Sequence, residues 1–175
     1  MTPPQYPAGP EAPEATPPPA RRAEWIAEIE QAPALLRQAV AGLSDARLDT
    51  AYKNWTVRQI VHHLSDSHVN AYIRFKMALT EDAPTIKPYA DGRWVELDDE
   101  RRGDVAVPLA LLDALHAAWV RLLRSMTDAQ FARTYFHPET GETVALSAAL
   151  GSYAWHSRHH TAQIRWLRQD RGWDR

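Results

Sequence analysis

The sequence contains no cysteine among its 175 residues. The chain can therefore form no disulfide, and neither a thiolate metal site nor a cysteine nucleophile is available to it. Any bound metal must be held by imidazole or carboxylate groups. The eight histidines are the first candidates for that role.

An excess of one charge is also missing, since 20 Lys and Arg stand against 22 Asp and Glu, for a net charge of −2. This balance argues against nucleic acid as a partner, because binding to a phosphate backbone needs a basic excess. No run of about 18 apolar residues offers a membrane span, and the N-terminus lacks the charged-then-apolar pattern of a signal peptide. We therefore expect one cytoplasmic domain with no membrane partner.

Proline is concentrated at the N-terminus, where residues 1–20 contain eight of the 13 prolines. Such a segment forms neither a helix nor a central strand, because proline restricts φ and lacks a backbone donor. We predict a tail over 1–20 and a folded domain over 21–175. The tail is either disordered or extended across the domain with Tyr6 as an anchor, and the sequence leaves both possibilities open.

Four segments carry apolar residues at spacings of three and four, which is typical of amphipathic helices. Pro33 is expected to kink or divide the first. Thr56 and Gln59 have the spacing of a capping box, which predicts the start of the second. The first predicted helix begins near Arg22, and the second extends from Thr56 to about Leu79. The third extends from Pro108 to about Ser125. The fourth extends from about Val144 through Leu167, with a stop at Gly172.

The segments between these helices show no sustained periodicity. Residues 80–107 form a long crossover with room for a short turn of helix, and 127–142 are irregular, with almost no strand signal. A faint repeat of 43–48 (LSDARL) at 126–131 (MTDAQF) hints at duplicated helical hairpins. We predict an all-α four-helix bundle with a long crossover between its second and third helices.

Six histidines fall into two clusters, and the one in the fourth helix contains His156 and His160. Residues four apart share a helical face, and both lie in or beside the apolar stripe, whereas His159 points to one side. Each of the two could be a buried core histidine with a single hydrogen bond. A divalent ion would satisfy a nitrogen from both, and a third ligand from the second helix would complete a three-ligand site with an open position.

The third ligand is not determined by periodicity. His68 lies at the centre of the apolar stripe of the second helix and is the choice from periodicity alone. His63 lies on a flank beside the polar residues Ser67, Asn70 and Arg74, which suits a site at the mouth of a bundle. His62 is on the opposite side.

Four blocks of sequence resemble the YfiT-type branch of the DinB-like metalloproteins. These blocks are 55–68 (WTVRQIVHHLSDSH), 72–76 (YIRFK), 84–89 (PTIKPY) and 153–160 (YAWHSRHH). The resemblance covers about residues 25–173. Within the tail it extends only to 6–9 (YPAG), and the additional prolines depart from the family pattern.

The resemblance implies a DinB-type four-helix bundle that forms a homodimer and binds one divalent ion, zinc or nickel, per subunit. Its ligands, carried over by position, are His63, His156 and His160. Members are described as metal-dependent hydrolases, and some relatives join a low-molecular-weight thiol such as bacillithiol to electrophiles. Seven tryptophans, more than one core readily hides, also favour a dimer.

We expect a divalent-metal-dependent hydrolase that uses an activated water on a small-molecule substrate. An S-transferase using a low-molecular-weight thiol is the alternative. A non-catalytic, metal-stabilised binding module is a second alternative, which His68 as a fourth ligand would favour. The absence of a Glu between His156 and His160 argues against a peptidase of the zinc-protease type.

Overall fold

The computed structural model describes residues 1–173, and four long helices dominate them. These are α1 (Pro19–Val40), α3 (Val57–Thr80), α6 (Ala106–Ser125) and α8 (Leu146–Arg171). The short helices are α2 (Asp45–Leu48), α4 (Asp91–Trp94), α5 (Asp98–Arg102) and α7 (Asp128–Phe131). The strands are β1 (Ala51–Tyr52), β2 (Trp55–Thr56), β3 (Thr134–His137) and β4 (Glu142–Ala145).

The long helices form a four-helix bundle with an unusual neighbour order. Helix α1 packs mainly against α6 and α8, and α3 packs mainly against the same two helices. Consecutive long helices α1 and α3 therefore lie diagonally across the bundle, and so do α6 and α8. The predicted four-helix bundle is confirmed, and its long crossover, which contains α4 and α5, joins the neighbours α3 and α6.

The two diagonal connections have the same construction. Each runs from a long helix through a one-turn helix and an antiparallel hairpin into the next long helix, with β1–β2 before α3 and β3–β4 before α8. The repeated segments 43–48 and 126–131 contain the one-turn helices α2 and α7. The prediction of irregular structure over 127–142 was wrong, because strands of two to four residues are too short to show a period.

The helix boundaries differ from the predictions in three places. Helix α1 begins at Pro19, inside the predicted tail, and continues through Pro33 without division. Helix α6 begins at Ala106, before Pro108, and ends at Ser125 as predicted. Helix α8 begins at Leu146 rather than Val144, and Gly172 ends it in the left-handed conformation, with φ of 62°.

The N-terminal segment lies extended along α8. The indole Nε1 of Trp155 donates to the Gly9 carbonyl at 3.0 Å. The Tyr6 ring lies 6.0 Å from the ring of His159, and the terminal amine pairs with Asp170 at 2.8 Å. Of the two possibilities left open for the tail, the structure has the extended one.

The buried apolar residues fall into two groups at different levels of the bundle. The first apolar cluster includes Trp25, Ile29, Phe75, Trp119, Leu123, Leu146 and Leu150. The second apolar cluster includes Leu36, Val40, Ile60, Leu64, Leu112, Ile164 and Leu167. Between them lie the residues that we call the histidine layer: His63, His68, His116, His156 and His160.

One helix of the described residues, Ala106–Ser125, is long and apolar enough to cross a membrane by length and composition alone. This is weak evidence for a membrane span, since a core helix of a globular bundle has the same properties. Leu112, Trp119 and Leu123 of this helix are buried in the two apolar clusters. It therefore has a packing role in the bundle.

Candidate metal site

Two long helices position the three histidines implied by the resemblance. The start of α3 is set by a capping box, in which the Gln59 amide donates to the Thr56 hydroxyl at 3.1 Å and the Thr56 amide donates to the Gln59 side chain at 3.0 Å. This cap satisfies two amide groups that would otherwise lack partners at the first turn. It confirms the predicted helix start and places His63 in the second turn of α3, facing His156 and His160 on α8.

The ring nitrogens of His63, His156 and His160 converge on one point. One ligand atom from each lies within 4.8 Å of the others. The Nε2 atom of His156 is 3.1 Å from Nε2 of His63 and 3.1 Å from Nε2 of His160. A tetrahedral metal bound at about 2.0–2.1 Å separates its nitrogen ligands by roughly 3.3–3.4 Å. The observed spacing therefore suits a small divalent ion.

The hydrogen bonds around His160 also favour a cation. Its Nδ1 lies 2.8 Å from the side-chain oxygen of Gln163, and the amide nitrogen of Gln163 lies 3.0 Å from Nε2 of His159. Because an amide oxygen can only accept, Nδ1 of His160 is the protonated nitrogen of a neutral ring, and its Nε2 presents a bare lone pair. That lone pair faces the other two histidines, where a cation is the fitting partner.

Burial keeps the three rings neutral, which is the form that binds metal. It lowers the pKa of His63 to about 4, and it lowers the pKa of His156 and of His160 well below the usual value for histidine. The indole of Trp55 covers one side of the group, with its centroid 4.5 Å from the His63 ring and 6.1 Å from the His160 ring.

The structure places the remaining histidines of the two clusters elsewhere. His68, the choice from periodicity, lies outside the converging group, and its Nδ1 is 2.8 Å from Nε2 of His116. His159 lies outside the converging group, where it is buried and stacks on Trp155 at 4.7 Å. His62 is half-buried on the other side of α3, near Gly103.

The converging histidines line a cavity of about 420 Å³. Arg74 and Tyr89 also line it, and Asp91 and Glu139 place carboxylates there. The Arg74 guanidinium donates to the Tyr153 hydroxyl at 3.0 Å and, within residues 1–173, has no carboxylate partner. Sequence reasoning placed Arg74 on the polar flank beside His63 but did not identify Gln163, although the spacing of three residues between Gln163 and His160 places both on the same helical face.

The comparison with known proteins agrees with the geometry of this site. The profile of the DinB superfamily matches residues 28–164. The chain belongs to the DinB superfamily. The family expected from the sequence blocks is thus confirmed.

Curated relatives match most of the chain. It is 48% identical over 170 residues to "Putative metal-dependent hydrolase YfiT" of Bacillus subtilis (strain 168), covering 96% of each protein. A relative from Bacillus mycoides (strain KBAB4) with the same functional description is 53% identical over 152 residues, covering 86% of this chain and 87% of the relative. These names describe a metal-dependent hydrolase without a stated substrate.

A solved structure supports the fold. The chain matches YfiT from Bacillus subtilis, described as a probable metal-dependent hydrolase with an unusual four-helix bundle topology, with a TM-score of 0.94. The two are 48% identical, and the match covers 96% of this chain and 97% of that one. The diagonal placement of consecutive long helices is the unusual feature of this chain's own bundle.

Proposed function

We propose that this protein is a divalent-metal-dependent hydrolase of a small-molecule substrate, with His63, His156 and His160 as the metal ligands. The observation that carries the proposal is the convergence of three imidazoles on a cavity of about 420 Å³, where Nε2 of His156 lies 3.1 Å from Nε2 of His63 and 3.1 Å from Nε2 of His160. The hydrolase names of the relatives support the same reaction class.

Three protein ligands leave one coordination position for a non-protein group, which is the arrangement of catalytic rather than structural zinc sites. A divalent ion held there would supply Lewis-acid chemistry, which makes water a competent nucleophile near neutral pH. The chain contributes the neutral ligand set and the Trp55 indole that covers it. Asp91 and Glu139 offer carboxylates at the cavity for proton transfer.

Arg74 is the group that orients the substrate in this proposal. Its side chain lines both the cavity at the three histidines and the larger one beside it, and it donates to the Tyr153 hydroxyl. A guanidinium at this position can meet a carboxylate, phosphate or carbonyl oxygen that enters the cavity. We infer that good substrates carry such an oxygen beside the bond that is cleaved.

An S-transferase is the second candidate, and one observation favours it. A larger cavity of about 840 Å³ adjoins the metal site, and the two cavities share Arg74, His137, Trp155 and His156. A reaction between a thiol and an electrophile needs two binding spaces that meet at the reactive centre. The larger cavity would hold the electrophile, with the thiol beside the three histidines.

The remaining alternative, a structural metal with His68 as fourth ligand, has less support. Nδ1 of His68 is engaged with His116, and its Nε2 faces the outer nitrogen of His156 at 3.5 Å. Neither nitrogen is directed to the point where the three Nε2 atoms converge.

The identity of the ion, the assembly and the location belong to the same proposal. We infer zinc or nickel, one ion per subunit, because imidazole ligands suit both metals. We also infer a cytoplasmic homodimer, for which sedimentation should give about twice 19.8 kDa. The tryptophan count adds little to this inference, since Trp94 is the one tryptophan among the described residues that is exposed.

The test offers the zinc- or nickel-loaded protein a panel of activated esters and amides, with and without a carboxylate or phosphate group. A parallel assay supplies an electrophile with bacillithiol or another small thiol. His160→Ala is the blank, and Arg74→Met should raise KM more for anionic than for neutral substrates. Thiol-dependent conjugation without hydrolysis would select the transferase, and no turnover in either assay would overturn both enzyme proposals.

A further inference from the structure

Pro33 leaves a backbone acceptor free in the centre of the bundle. A residue at position 33 of a regular helix would donate its amide hydrogen to the carbonyl of Ile29, but proline has none. The Ile29 carbonyl instead lies 2.6 Å from Nδ1 of His116 on α6. Because a carbonyl can only accept, Nδ1 of His116 must carry the hydrogen.

This contact determines the state of the next ring. In a neutral imidazole one nitrogen donates and the other accepts, so His116 presents an accepting Nε2. That atom lies 2.8 Å from Nδ1 of His68, and the two ring planes are only 6° apart. His68 must therefore donate from Nδ1, which leaves its own Nε2 as an acceptor.

The chain of contacts ends at a candidate metal ligand. Nε2 of His68 lies 3.5 Å from Nδ1 of His156, the longest contact in the series. An acceptor at this position favours the His156 tautomer with its hydrogen on Nδ1. The opposite nitrogen, Nε2, is then a bare lone pair directed at His63 and His160.

We propose that a buried chain from the Ile29 carbonyl through His116 and His68 holds His156 in the tautomer that presents a bare Nε2 to the metal site. His68 and His116 are positioning residues, since they act through His156. Both are buried, at 1% and 2% exposure, and their ring nitrogens contact a carbonyl and other imidazoles rather than a carboxylate, which is the setting of a neutral ring with one donor and one acceptor.

The inference rests on the proposed role of His156 as a ligand, and it adds a requirement on the outer nitrogen of that ligand. Metal-binding histidines commonly donate their second N–H to a carboxylate, a carbonyl or water, which sets the tautomer and ring orientation. His160 meets this need through Gln163, whereas His156 meets it through two further imidazoles and a carbonyl that Pro33 leaves free.

The first experiment needs neither a variant nor a metal. Long-range ¹H–¹⁵N correlation spectra of the full-length, metal-free protein with ¹⁵N-labelled histidine distinguish the two neutral tautomers of each ring. We expect His116 and His68 to carry their hydrogen on Nδ1, so that His68 presents an accepting Nε2 to His156. A hydrogen on Nε2 of His68 overturns the proposal.

The second experiment measures the dissociation constants for Zn²⁺ and Ni²⁺ by competition with a chromophoric chelator. His68→Leu should weaken binding by roughly 10–100-fold, the usual effect of removing an outer partner of a ligand. His68→Gln retains one donor and one acceptor on its amide and should recover most of the affinity. His62→Leu, on the same helix but outside the chain, is the matched control and should bind as the parent does.

The two experiments separate this inference from the proposed function. If the parent protein binds neither metal, the proposed metal site is wrong. The tautomers still test whether the series of hydrogen bonds from the Ile29 carbonyl through His116 and His68 exists. Equal affinity of His68→Leu and the parent overturns the positioning role even if the protein is an active hydrolase. Should His68→Leu fail to fold, the tautomers of the parent decide the question, because a hydrogen on Nε2 of His68 is incompatible with the proposed chain.

Discussion

The two apolar clusters and the histidine layer between them are built by the same four helices but follow different chemical rules. In α3, Ile60 and Phe75 belong to opposite clusters, and the histidines of that helix lie between these levels. The clusters need only apolar volume at helical spacing. The histidine layer contains ten ring nitrogens in a buried setting, and each of them needs a definite partner.

This difference separates stability from metal binding within one bundle. Leucine, isoleucine and aromatic side chains on either side of the layer supply the burial that holds the helices together. The histidine layer adds directional hydrogen bonds. Their main effect is to set the ring tautomers so that the Nε2 lone pairs face one point. Substitutions in the two regions should therefore have different effects on metal affinity and on unfolding.

The largest expected effect is on metal affinity in the histidine layer. His63→Ala should weaken Zn²⁺ binding by more than about 100-fold, beyond the usual cost of losing an outer partner, because a direct ligand is removed. His62→Ala, a change in the adjacent residue of the same helix, should bind normally. Chelator competition measures both, and equal affinities for the two variants would contradict the assignment of His63.

The next effect concerns the first apolar cluster. Leu150→Ala should lower the free energy of unfolding by about 2–5 kcal/mol, because Leu150 is fully buried and its truncation leaves a cavity. Urea denaturation of the metal-free protein measures this change. Leu111→Ala, at a residue that is 46% exposed on α6, should change it by less than about 0.5 kcal/mol. The Leu150 variant should retain its zinc affinity, and a large loss would show that the two regions are not separable.

A smaller, pH-dependent effect is expected at Glu100 in α5. This carboxyl is 3% exposed, and burial together with a hydrogen bond to Asp66 raises its pKa to about 8. The folded protein therefore binds a proton that the unfolded chain releases above about pH 4.3, so the stability associated with Glu100 decreases as the pH rises from there to about 8. Glu100→Gln removes this dependence.

The Glu100→Gln variant should gain on the order of 2 kcal/mol over the parent at pH 8.5, and the gain should be absent near pH 4.5. Urea denaturation at the two pH values measures it. Glu96→Gln, at an exposed carboxylate in the same crossover, is the control. A pH-independent difference between Glu100→Gln and the parent would contradict the raised pKa.

The smallest effect is expected at the start of α3. Thr56→Ala removes one of the two capping-box bonds and should cost about 1 kcal/mol of folding stability. Thr127→Ala removes the equivalent bond in α7, which has only four residues, and should cost less. Thermal denaturation compares the two. A larger loss at Thr127 would contradict the view that the cap matters most where it begins a long helix.

Much of the fold was predictable from local pattern. The capping box at Thr56, the stop at Gly172 and the four apolar stripes are each encoded within a few neighbouring residues. The short hairpins were missed because their strands contain no more than four residues each. Continuation of α1 through Pro33 was also missed, because the packing of α1 against α6 and α8 compensates for one absent hydrogen bond.

The choice between His63 and His68 shows where such reasoning stops. A helical wheel reports how far a side chain points toward the core, and both histidines are buried, at 5% and 1% exposure. It does not report which neighbouring helix the side chain meets. His63 faces α8 and His156, whereas His68 faces α6 and His116. The resemblance to DinB-like proteins indicated His63 by its position in the family's sequence motif, without any information on geometry.

The sequence by itself determined the helical class, the approximate helix ends, the restriction to imidazole or carboxylate metal ligands and the pairing of His156 with His160. These properties depend on residue type and on spacing within one helix. Only the tertiary structure decided the diagonal order of the helices, the convergence of His63 with the α8 pair and the path from Pro33 through His116 and His68. Those features depend on contacts between residues 48 to 93 positions apart, whose partners are chosen by packing of the whole bundle.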